Sequence, residues 1–209
     1  MLVSGTGTNL RALLDAADAA EYPGRVAVVI SNKRSAGALE IARARGIEAI
    51  ALPVGDFGGS LEARDAAIRD ALQRAQVQLV VCAGYDRVLT APVLDAFPDR
   101  ILNVHPSLLP AFAGGMHAVE DALAFGAKVT GCTVQLLEPG EPDGGPVVLQ
   151  AAVEVREDDD ADSLRMRIHE QEWRILPEAV ALFCSGRLRR EGRRVRLLPA
   201  PATMRSGRD

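Results

Sequence analysis

The sequence predicts a three-layer α/β sandwich, in which helices cover both faces of a mainly parallel β-sheet. Through the first half of the chain, apolar segments of strand length alternate with segments of helical periodicity. Strands and helices that alternate at this interval are typical of βαβ units, whose strands run parallel. After Pro110 two longer extended segments follow each other, which predicts that antiparallel strands extend the sheet in the C-terminal half.

Local sequence signals predict each helix and strand of the first half. Leucines repeat at helical spacing directly after a glycine-rich turn, Gly46 follows a second periodic segment, and Ser60 is a suitable cap for a third helix. The strands are expected at residues 1–3, 26–30, 47–52, 79–82 and 101–105. The helices are expected after the turn at 4–9 and at 38–44, 60–75 and 92–97.

The second half is expected to contain a long helix that precedes the C-terminal segment. Asp162 or Ser163 would cap this helix, and Gly186 would end it. Its inward stripe contains Leu164, Ile168, Leu176, Val180 and Phe183. Before the long helix we expect a loop at 111–116, a helix at 117–125, strands at 129–137 and 147–155, and a connecting loop at 138–146.

The composition is that of one soluble globular domain, because 48% of the residues are hydrophobic and 25% are charged. The start of the sequence lacks the features of a secretory signal, so a cytoplasmic protein without membrane contact is expected. Three widely spaced cysteines argue against a disulfide framework and against a structural zinc site. We therefore expect one domain at 1–186, followed by a basic hairpin or tail at 187–209.

The tail concentrates positive charge. Residues 187–209 contain eight arginines against Glu191 and Asp209, a net charge of +6, which leaves −10 for the rest of a chain whose net charge is −4. One alternative is therefore a non-enzymatic nucleotide-binding module with an RNA-binding tail. The tail lacks interleaved aromatic residues, however, and its pattern is typical of a solvated hairpin that turns at Glu191-Gly192. We expect no nucleic-acid partner.

The strand at 101–105 carries the most concentrated chemistry. Asn103 and His105 lie two residues apart, so their side chains share one face while the apolar residues beside them face the other way. Pro106 disfavours continuation of the strand, which places both groups at its carboxyl end. An imidazole can exchange a proton near neutral pH, and an amide can hydrogen-bond an oxyanion. Asp143, in a later loop, can orient such an imidazole and favour its protonated form.

Other candidate residues have a purely structural alternative. The turn at 5–9 offers backbone N–H groups at a helix N-terminus, which favours an anion such as phosphate, but a tight turn explains it equally well. Arg87 is as compatible with an anionic ligand group as with an ordinary surface position. His169 and Glu172 have a spacing found in metal sites, yet no third ligand follows, which favours a solvated helix face.

Together these motifs resemble the folate-dependent phosphoribosylglycinamide formyltransferase family from Met1 to about residue 188. The motifs are Ser4-Gly-Thr-Gly-Thr-Asn-Leu10, Ala83-Gly-Tyr-Asp-Arg-Val-Leu89, Asn103-Val-His-Pro-Ser-Leu-Leu-Pro110, Gly131-Cys-Thr-Val134 and Asp143-Gly-Gly-Pro146. The expected fold is thus a Rossmann-like three-layer sandwich. The resemblance implies transfer of a formyl group from 10-formyltetrahydrofolate, a co-substrate, to the amine of 5-phosphoribosylglycinamide in de novo purine biosynthesis. This chemistry requires no metal.

The resemblance also implies where the two small-molecule substrates bind. Glu172 would contact the glycinamide end of the ribonucleotide. The substrate phosphate would be held by Gly7, Thr8 and Asn9. The folate pocket would be lined by Asp86, Arg87, Val88, Leu89 and Asn103.

The implied catalytic residues are Asn103, His105 and Asp143. Asn103 and protonated His105 would stabilise the tetrahedral oxyanion. His105 would help to move a proton to the departing folate nitrogen. Asp143 would keep His105 charged and oriented.

The chain departs from the family pattern at three places. Gln135 occupies a position where the family often has histidine. Leu61 stands where an arginine often meets the acidic tail of the folate, and Arg64, one helical turn on, is the expected substitute. The segment 131–143 is one residue longer than usual, so whether its terminal carboxylate reaches the imidazole is the geometric question.

Two related folate enzymes, methionyl-tRNA formyltransferase and formyltetrahydrofolate hydrolase, look similar around Asn103 and His105 and are alternatives. The first resembles this domain joined to a large C-terminal RNA-binding domain, for which the 23 residues after Gly186 leave no room. The second carries an extra N-terminal regulatory domain. The sequence is compatible with a monomer or a homodimer.

Overall fold

A nine-stranded sheet forms the centre of the protein in a computed structural model that describes residues 1–140 and 143–199. The strands are β1 (Leu2–Val3), β2 (Val28–Ser31), β3 (Glu48–Ala51), β4 (Val80–Ala83), β5 (Ile101–His105), β6 (Val129–Leu136), β7 (Val147–Glu154), β8 (Leu188–Glu191) and β9 (Arg194–Leu197). Their order in the sheet is β3-β2-β1-β4-β5-β6-β7-β9-β8. The first five strands are parallel, and β6 and β7 continue the sheet in antiparallel pairing. The predicted sheet is confirmed.

Helices pack against both faces of this sheet, which confirms the three layers. The helices are α1 (Thr8–Ala17), α2 (Gly37–Ala44), α3 (Leu61–Arg74), α4 (Ala91–Leu94), α5 (Ala118–Phe125) and α6 (Ala161–Cys184). One apolar core contains residues of α1, α2, α5 and α6, and the other contains residues of α3 and α4. A short 3₁₀ helix at Val54–Phe57, which the sequence pattern did not indicate, precedes α3.

Alternation along β5 distributes its side chains as expected. Leu102 and Val104 belong to the core beneath α1 and α6, whereas Ile101 belongs to the core beneath α3. Antiparallel pairing places Asn103 directly opposite Gln135 and His105 opposite Thr133 on β6. The polar residues of β5 therefore reach the carboxyl edge of the parallel strands, where α/β sheets bind ligands.

The expected cap of the long helix was wrong. Asp160 is the N-cap of α6, since its side chain accepts a hydrogen bond from the backbone N–H of Ser163 at 2.8 Å. The Ser163 hydroxyl in turn accepts from the backbone N–H of Asp160 at 3.0 Å. This reciprocal capping box requires Ser163 at the third helical position, so neither Asp162 nor Ser163 can be the cap. Ser60 caps α3 as expected.

The basic C-terminal segment forms the expected hairpin, which is joined to the main sheet. Strands β8 and β9 pair antiparallel, and β9 pairs parallel with β7 at Val147 and Arg194. The turn lies at residues 192–193, one residue later than predicted. Residues 200–209 of the predicted tail lie outside the described residues. The division of the chain at residue 186 stays a prediction.

Candidate active site

A cavity of about 680 Å³ opens where the carboxyl ends of β4 and β5 meet the loops that follow them. Its walls are formed by the loop after β4, the end of β5, and residues of two later loops. The polar and charged side chains among its lining residues belong to Asp86, Arg87, Asn103, His105, Glu138 and Asp143. The volume is typical of a small-molecule site.

The end of β5 delivers two of the predicted residues to this cavity. Asn103 is partly exposed and lines the cavity wall, while His105 is buried with 5% of its surface exposed. Burial on a strand restricts the imidazole to few orientations. The i, i+2 spacing on β5 accounts for their adjacency.

Asp143 reaches the imidazole despite the longer segment before it. Its Oδ1 atom lies 3.3 Å from Nδ1 of His105. The other ring nitrogen, Nε2, lies 3.1 Å from the carbonyl oxygen of Phe112. Both neighbours are hydrogen-bond acceptors, and a neutral imidazole carries only one N–H. Only the doubly protonated ring can therefore donate to both at once.

The Asp143 carboxylate is held by two further groups. The Nε2 atom of Gln135 donates to Oδ1 at 3.1 Å, and the backbone N–H of Gly114 donates to Oδ2 at 3.0 Å. Asp143 has a φ of 60°, in the left-handed region that costs a non-glycine residue on the order of 1 kcal/mol or more. The surrounding contacts stabilise this backbone conformation and set the direction of the carboxylate.

The glycine-rich turn places a helix N-terminus beside α2. Gly7 is the N-cap of α1 with a φ of 87°, and among the described residues no side chain caps this helix. A Cβ on Gly7 would lie 2.8 Å from Cα of Ala38, so only glycine fits without a shift of the turn. Thr8 and Asn9 form the first helical turn. Uncapped N–H groups of this kind suit an anion.

Glu172 does not lie on a solvated face, and that expectation was wrong. The side chain is 4% exposed, and Nδ2 of Asn9 donates to its Oε2 at 2.8 Å. Burial raises the pKa of Glu172 to about 7, although the hydrogen bond from Asn9 opposes the rise. Spacing could have revealed this position, because Glu172 is four residues from both Ile168 and Leu176 of the inward stripe. The contact brings Glu172 to the start of α1.

Asp86 lines the cavity wall, but its carboxylate is occupied by residues that the sequence did not single out. Oδ1 accepts a hydrogen bond from Nδ2 of Asn32 at 2.7 Å and lies 3.0 Å from the Ser4 hydroxyl. The backbone N–H of Asp86 donates to that hydroxyl at 2.9 Å, and Lys33 forms an ion pair with Oδ2. Burial opposes ionisation, but hydrogen bonds from Lys33, Asn32 and Ser4 lower the pKa of Asp86 overall. No local sequence pattern signals pairs between separate loops.

The remaining predicted folate residues also line the cavity, and Arg87 is half-exposed. Arg64, however, cannot be the substitute for an arginine at Leu61. Its side chain is completely buried, and it donates to the carboxylate of Asp65 at 2.6 and 2.8 Å. It also donates to the Val88 carbonyl at 3.2 Å. Arg64 therefore stabilises the loop after β4 from the protein interior, where its side chain has no access to solvent.

Residues 1–140 and 143–199 contain no group of three or more His, Cys, Asp or Glu side chains that could hold a metal ion. No helix in these ranges has both the length and the apolar character to cross a bilayer. A cavity of about 740 Å³ lies among the residues that lead into β2 and β4, and neither Asn103 nor His105 lines it.

Comparison with known proteins gives consistent matches. Residues 1–180 match the Formyl transferase family. A phosphoribosylglycinamide formyltransferase from Mycobacterium tuberculosis is 43% identical over 93% of this chain and 91% of its own length. The crystal structure of glycinamide ribonucleotide transformylase 1 from Symbiobacterium toebii has a TM-score of 0.91 and 52% identity, covering 95% of this chain and 92% of that one.

A longer relative aligns over only a small part of its length. The trifunctional purine biosynthetic protein adenosine-3 of Drosophila melanogaster is 42% identical over 89% of this chain, which spans 14% of that protein. The match to the family covers most of the chain, and the matches to the bacterial relatives extend over nearly their whole length. This chain belongs to the formyl transferase family.

Proposed function

We propose that this protein transfers a formyl group from 10-formyltetrahydrofolate to the amine of 5-phosphoribosylglycinamide in de novo purine biosynthesis. The observation that carries the proposal is the 3.3 Å contact between His105 and Asp143 beside Asn103, at the wall of a cavity large enough for a pterin. Relatives named phosphoribosylglycinamide formyltransferase support the same reaction. We expect a cytoplasmic protein, either monomeric or homodimeric.

The reaction begins when the substrate amine attacks the formyl carbon, which converts the carbonyl oxygen to an oxyanion. The Asn103 amide and the protonated imidazole of His105 stabilise this charge. The bond between the formyl carbon and the folate nitrogen then breaks. The amine loses a proton and the folate nitrogen gains one, which gives the formylated ribonucleotide and tetrahydrofolate. This reaction uses no metal ion.

Asp143 acts through His105 in this scheme. A carboxylate beside Nδ1 favours the charged imidazole and fixes the plane of the ring. Nε2 lies against the Phe112 carbonyl, so delivery of its proton to the folate nitrogen requires this contact to break. While this contact is intact, His105 stabilises the oxyanion through its positive charge.

The substrates are assigned to two neighbouring places. The phosphate meets the N-terminus of α1 at Gly7, Thr8 and Asn9, and the glycinamide end lies near Glu172, which Asn9 already contacts. The folate occupies the 680 Å³ cavity. Its pterin lies against the loop that carries Asp86, Arg87, Val88 and Leu89, with Asn103 between the two substrates.

The test is a direct assay of the full chain with 10-formyltetrahydrofolate and one of three acceptors. Glycinamide ribonucleotide should yield a product heavier by one formyl group in mass spectrometry, together with tetrahydrofolate. Methionyl-tRNA should remain unmodified, and water alone should release little formate. Formyl release without an acceptor would favour the hydrolase alternative, and formylated tRNA would favour the tRNA enzyme. A correctly folded protein that modifies none of them would overturn the proposal.

A further inference from the structure

We propose that Gln135 is the positioning residue that directs Asp143 toward His105. This inference rests on the proposed function and adds a residue that acts on the site without touching a substrate. Gln135 is completely buried in β6, directly opposite Asn103, so its side chain lies on the same face of the sheet. The position is therefore adjacent to the reacting groups.

One side chain of Gln135 contacts two residues of the turn that carries Asp143. Its Nε2 donates to Oδ1 of Asp143 at 3.1 Å, and its Oε1 accepts from the backbone N–H of Gly145 at 3.1 Å. The second bond fixes the orientation of the amide, because an N–H donor can face only the amide oxygen. The NH₂ group must then point at the carboxylate.

The backbone around this turn leaves little freedom. Asp143 has a φ of 60°, and a Cβ on Gly145 would lie 1.7 Å from the carbonyl oxygen of Leu136. The pairing between β6 and β7 skips one residue of β7 between Val134 and Gln135. Such bulges redirect side chains near active sites. Here the irregularity lies at the residue that holds Asp143.

The chemistry of glutamine suits this task. Oδ1 of Asp143 meets both the imidazole and the Gln135 amide, whereas Oδ2 is held by the Gly114 N–H. An amide donor does not titrate, so its hydrogen bond to the carboxylate is present across the working pH range. Gln135 thus keeps the carboxylate directed at the ring whatever the pH.

The decisive variants are Gln135→Glu and Gln135→Met in the full chain. Gln135→Glu keeps the shape and the acceptor for Gly145 but sets a carboxylate against Asp143, whereas Gln135→Met removes both hydrogen bonds. We expect kcat to fall by about tenfold or more, with KM for either substrate changed by less than about threefold, because a hydrogen bond to a charged group is lost. Gln135→His, which retains a donor at this position, should keep more of kcat than Gln135→Met does.

Gln150→Met is the matched control. Gln150 lies on β7 and donates to the Leu109 carbonyl and to the Thr133 hydroxyl at 3.0 and 2.9 Å. The Gln150→Met variant loses two side-chain hydrogen bonds in the same pair of strands, as Gln135→Met does, but neither of them involves Asp143. If kcat fell as much in Gln150→Met as in Gln135→Met, disturbed packing of the strands would explain the loss of activity, and not the orientation of the Asp143 carboxylate.

A second measurement separates this inference from the reaction itself. The His105 ring is followed by NMR during pH titration of the wild type and of Gln135→Met. Displacement of the carboxylate should move the midpoint to lower pH in the variant, since the charged ring loses its partner. An unchanged midpoint would overturn the role of Gln135. A shifted midpoint in a protein without formyl transfer would leave this role standing and overturn the proposed function alone.

Discussion

Oδ1 of Asp143 lies 3.3 Å from Nδ1 of His105, while Nε2 of the same ring lies 3.1 Å from the Phe112 carbonyl. These two acceptors lie on opposite sides of a buried ring, and an imidazolium carries one N–H for each of them. The positive charge then lies beside Asn103, where the proposed reaction develops an oxyanion. Protein contacts alone, before any substrate binds, thus supply an acceptor beside each nitrogen of the ring that the chemistry uses.

Replacing His105 with alanine tests this arrangement. Turnover should fall by at least about 10²-fold, because both the positive charge and the proton donor are lost. The measurement is single-turnover formyl transfer with both substrates saturating. His117→Ala, which removes an exposed histidine just before α5, should behave like the wild type. A near-normal rate for His105→Ala would contradict the assignment.

Glu172→Gln should change how stability depends on pH. The pKa of buried Glu172 is raised from its usual value of 4.5 to about 7, so between these pH values the folded state binds the proton and the unfolded state does not. The free energy of unfolding therefore loses about 3 kcal/mol as pH rises from 4.5 through 7. The glutamine of the variant stays neutral at every pH, so the variant should not show this loss in the free energy of unfolding.

Urea unfolding at pH 5 and pH 8 measures this difference. Glu172→Gln should gain stability over the wild type at pH 8 and little at pH 5. Glu170→Gln, an exposed change on the same helix, should leave the pH dependence as it is. If the free energy of unfolding depended on pH in the same way for the wild type and Glu172→Gln, Glu172 would ionise as readily in the folded protein as in the unfolded chain.

Arg64→Met should destabilise the fold. The Arg64 and Asp65 side chains are both fully buried, and Asp65 also accepts from the backbone N–H and hydroxyl of Thr90. Removing the guanidinium leaves a buried carboxylate without its partner, which costs about 3–5 kcal/mol. Chemical denaturation measures the loss.

The same helix supplies a matched control. Arg69 contacts Asp70 through the same two nitrogens, but this pair is exposed, and Arg69→Met should cost less than about 1 kcal/mol. Adding Asp65→Asn to Arg64→Met should recover part of the loss by removing the buried charge. If Arg64→Met were stable and only weakened folate binding, Arg64 would meet the folate after all.

Arg190 gives the basic hairpin a structural role. Its guanidinium forms ion pairs with Asp99 and Glu138, and Arg193 donates to the Gly144 carbonyl at 2.8 Å, next to Asp143. Arg190→Gln should lower stability by about 1 kcal/mol or less, since the side chains are partly exposed, and the effect should shrink in high salt.

Arg189→Gln separates this role from RNA binding. Arg189 is an exposed arginine of the same hairpin that contacts Glu191. It should leave formyl transfer unaltered. A tail that binds RNA would lose affinity in both variants alike, in proportion to the charge removed. An equal loss of RNA affinity without any stability difference would favour the nucleotide-binding alternative.

Sequence periodicity predicted the strands, the helices and the placement of Asn103 and His105 on one face of β5, because these features depend on spacing within one element. It did not identify Asp160 as the cap of α6, since residues 157–160 are all acidic and only the reciprocal bond with Ser163 selects one of them. It also missed Ser4 and Asn32. Contacts between loops that follow different strands depend on strand order, which local patterns do not encode.

Asp86 ties the segment that follows β1 to the loops after β2 and β4 through Ser4, Asn32 and Lys33. The glycine-rich turn and the loop along the 680 Å³ cavity therefore share one carboxylate. A substrate that orders one loop removes part of the entropic cost of ordering the other. The two substrates should accordingly bind with positive cooperativity, and thermodynamic reciprocity requires each to raise the affinity for the other by the same factor.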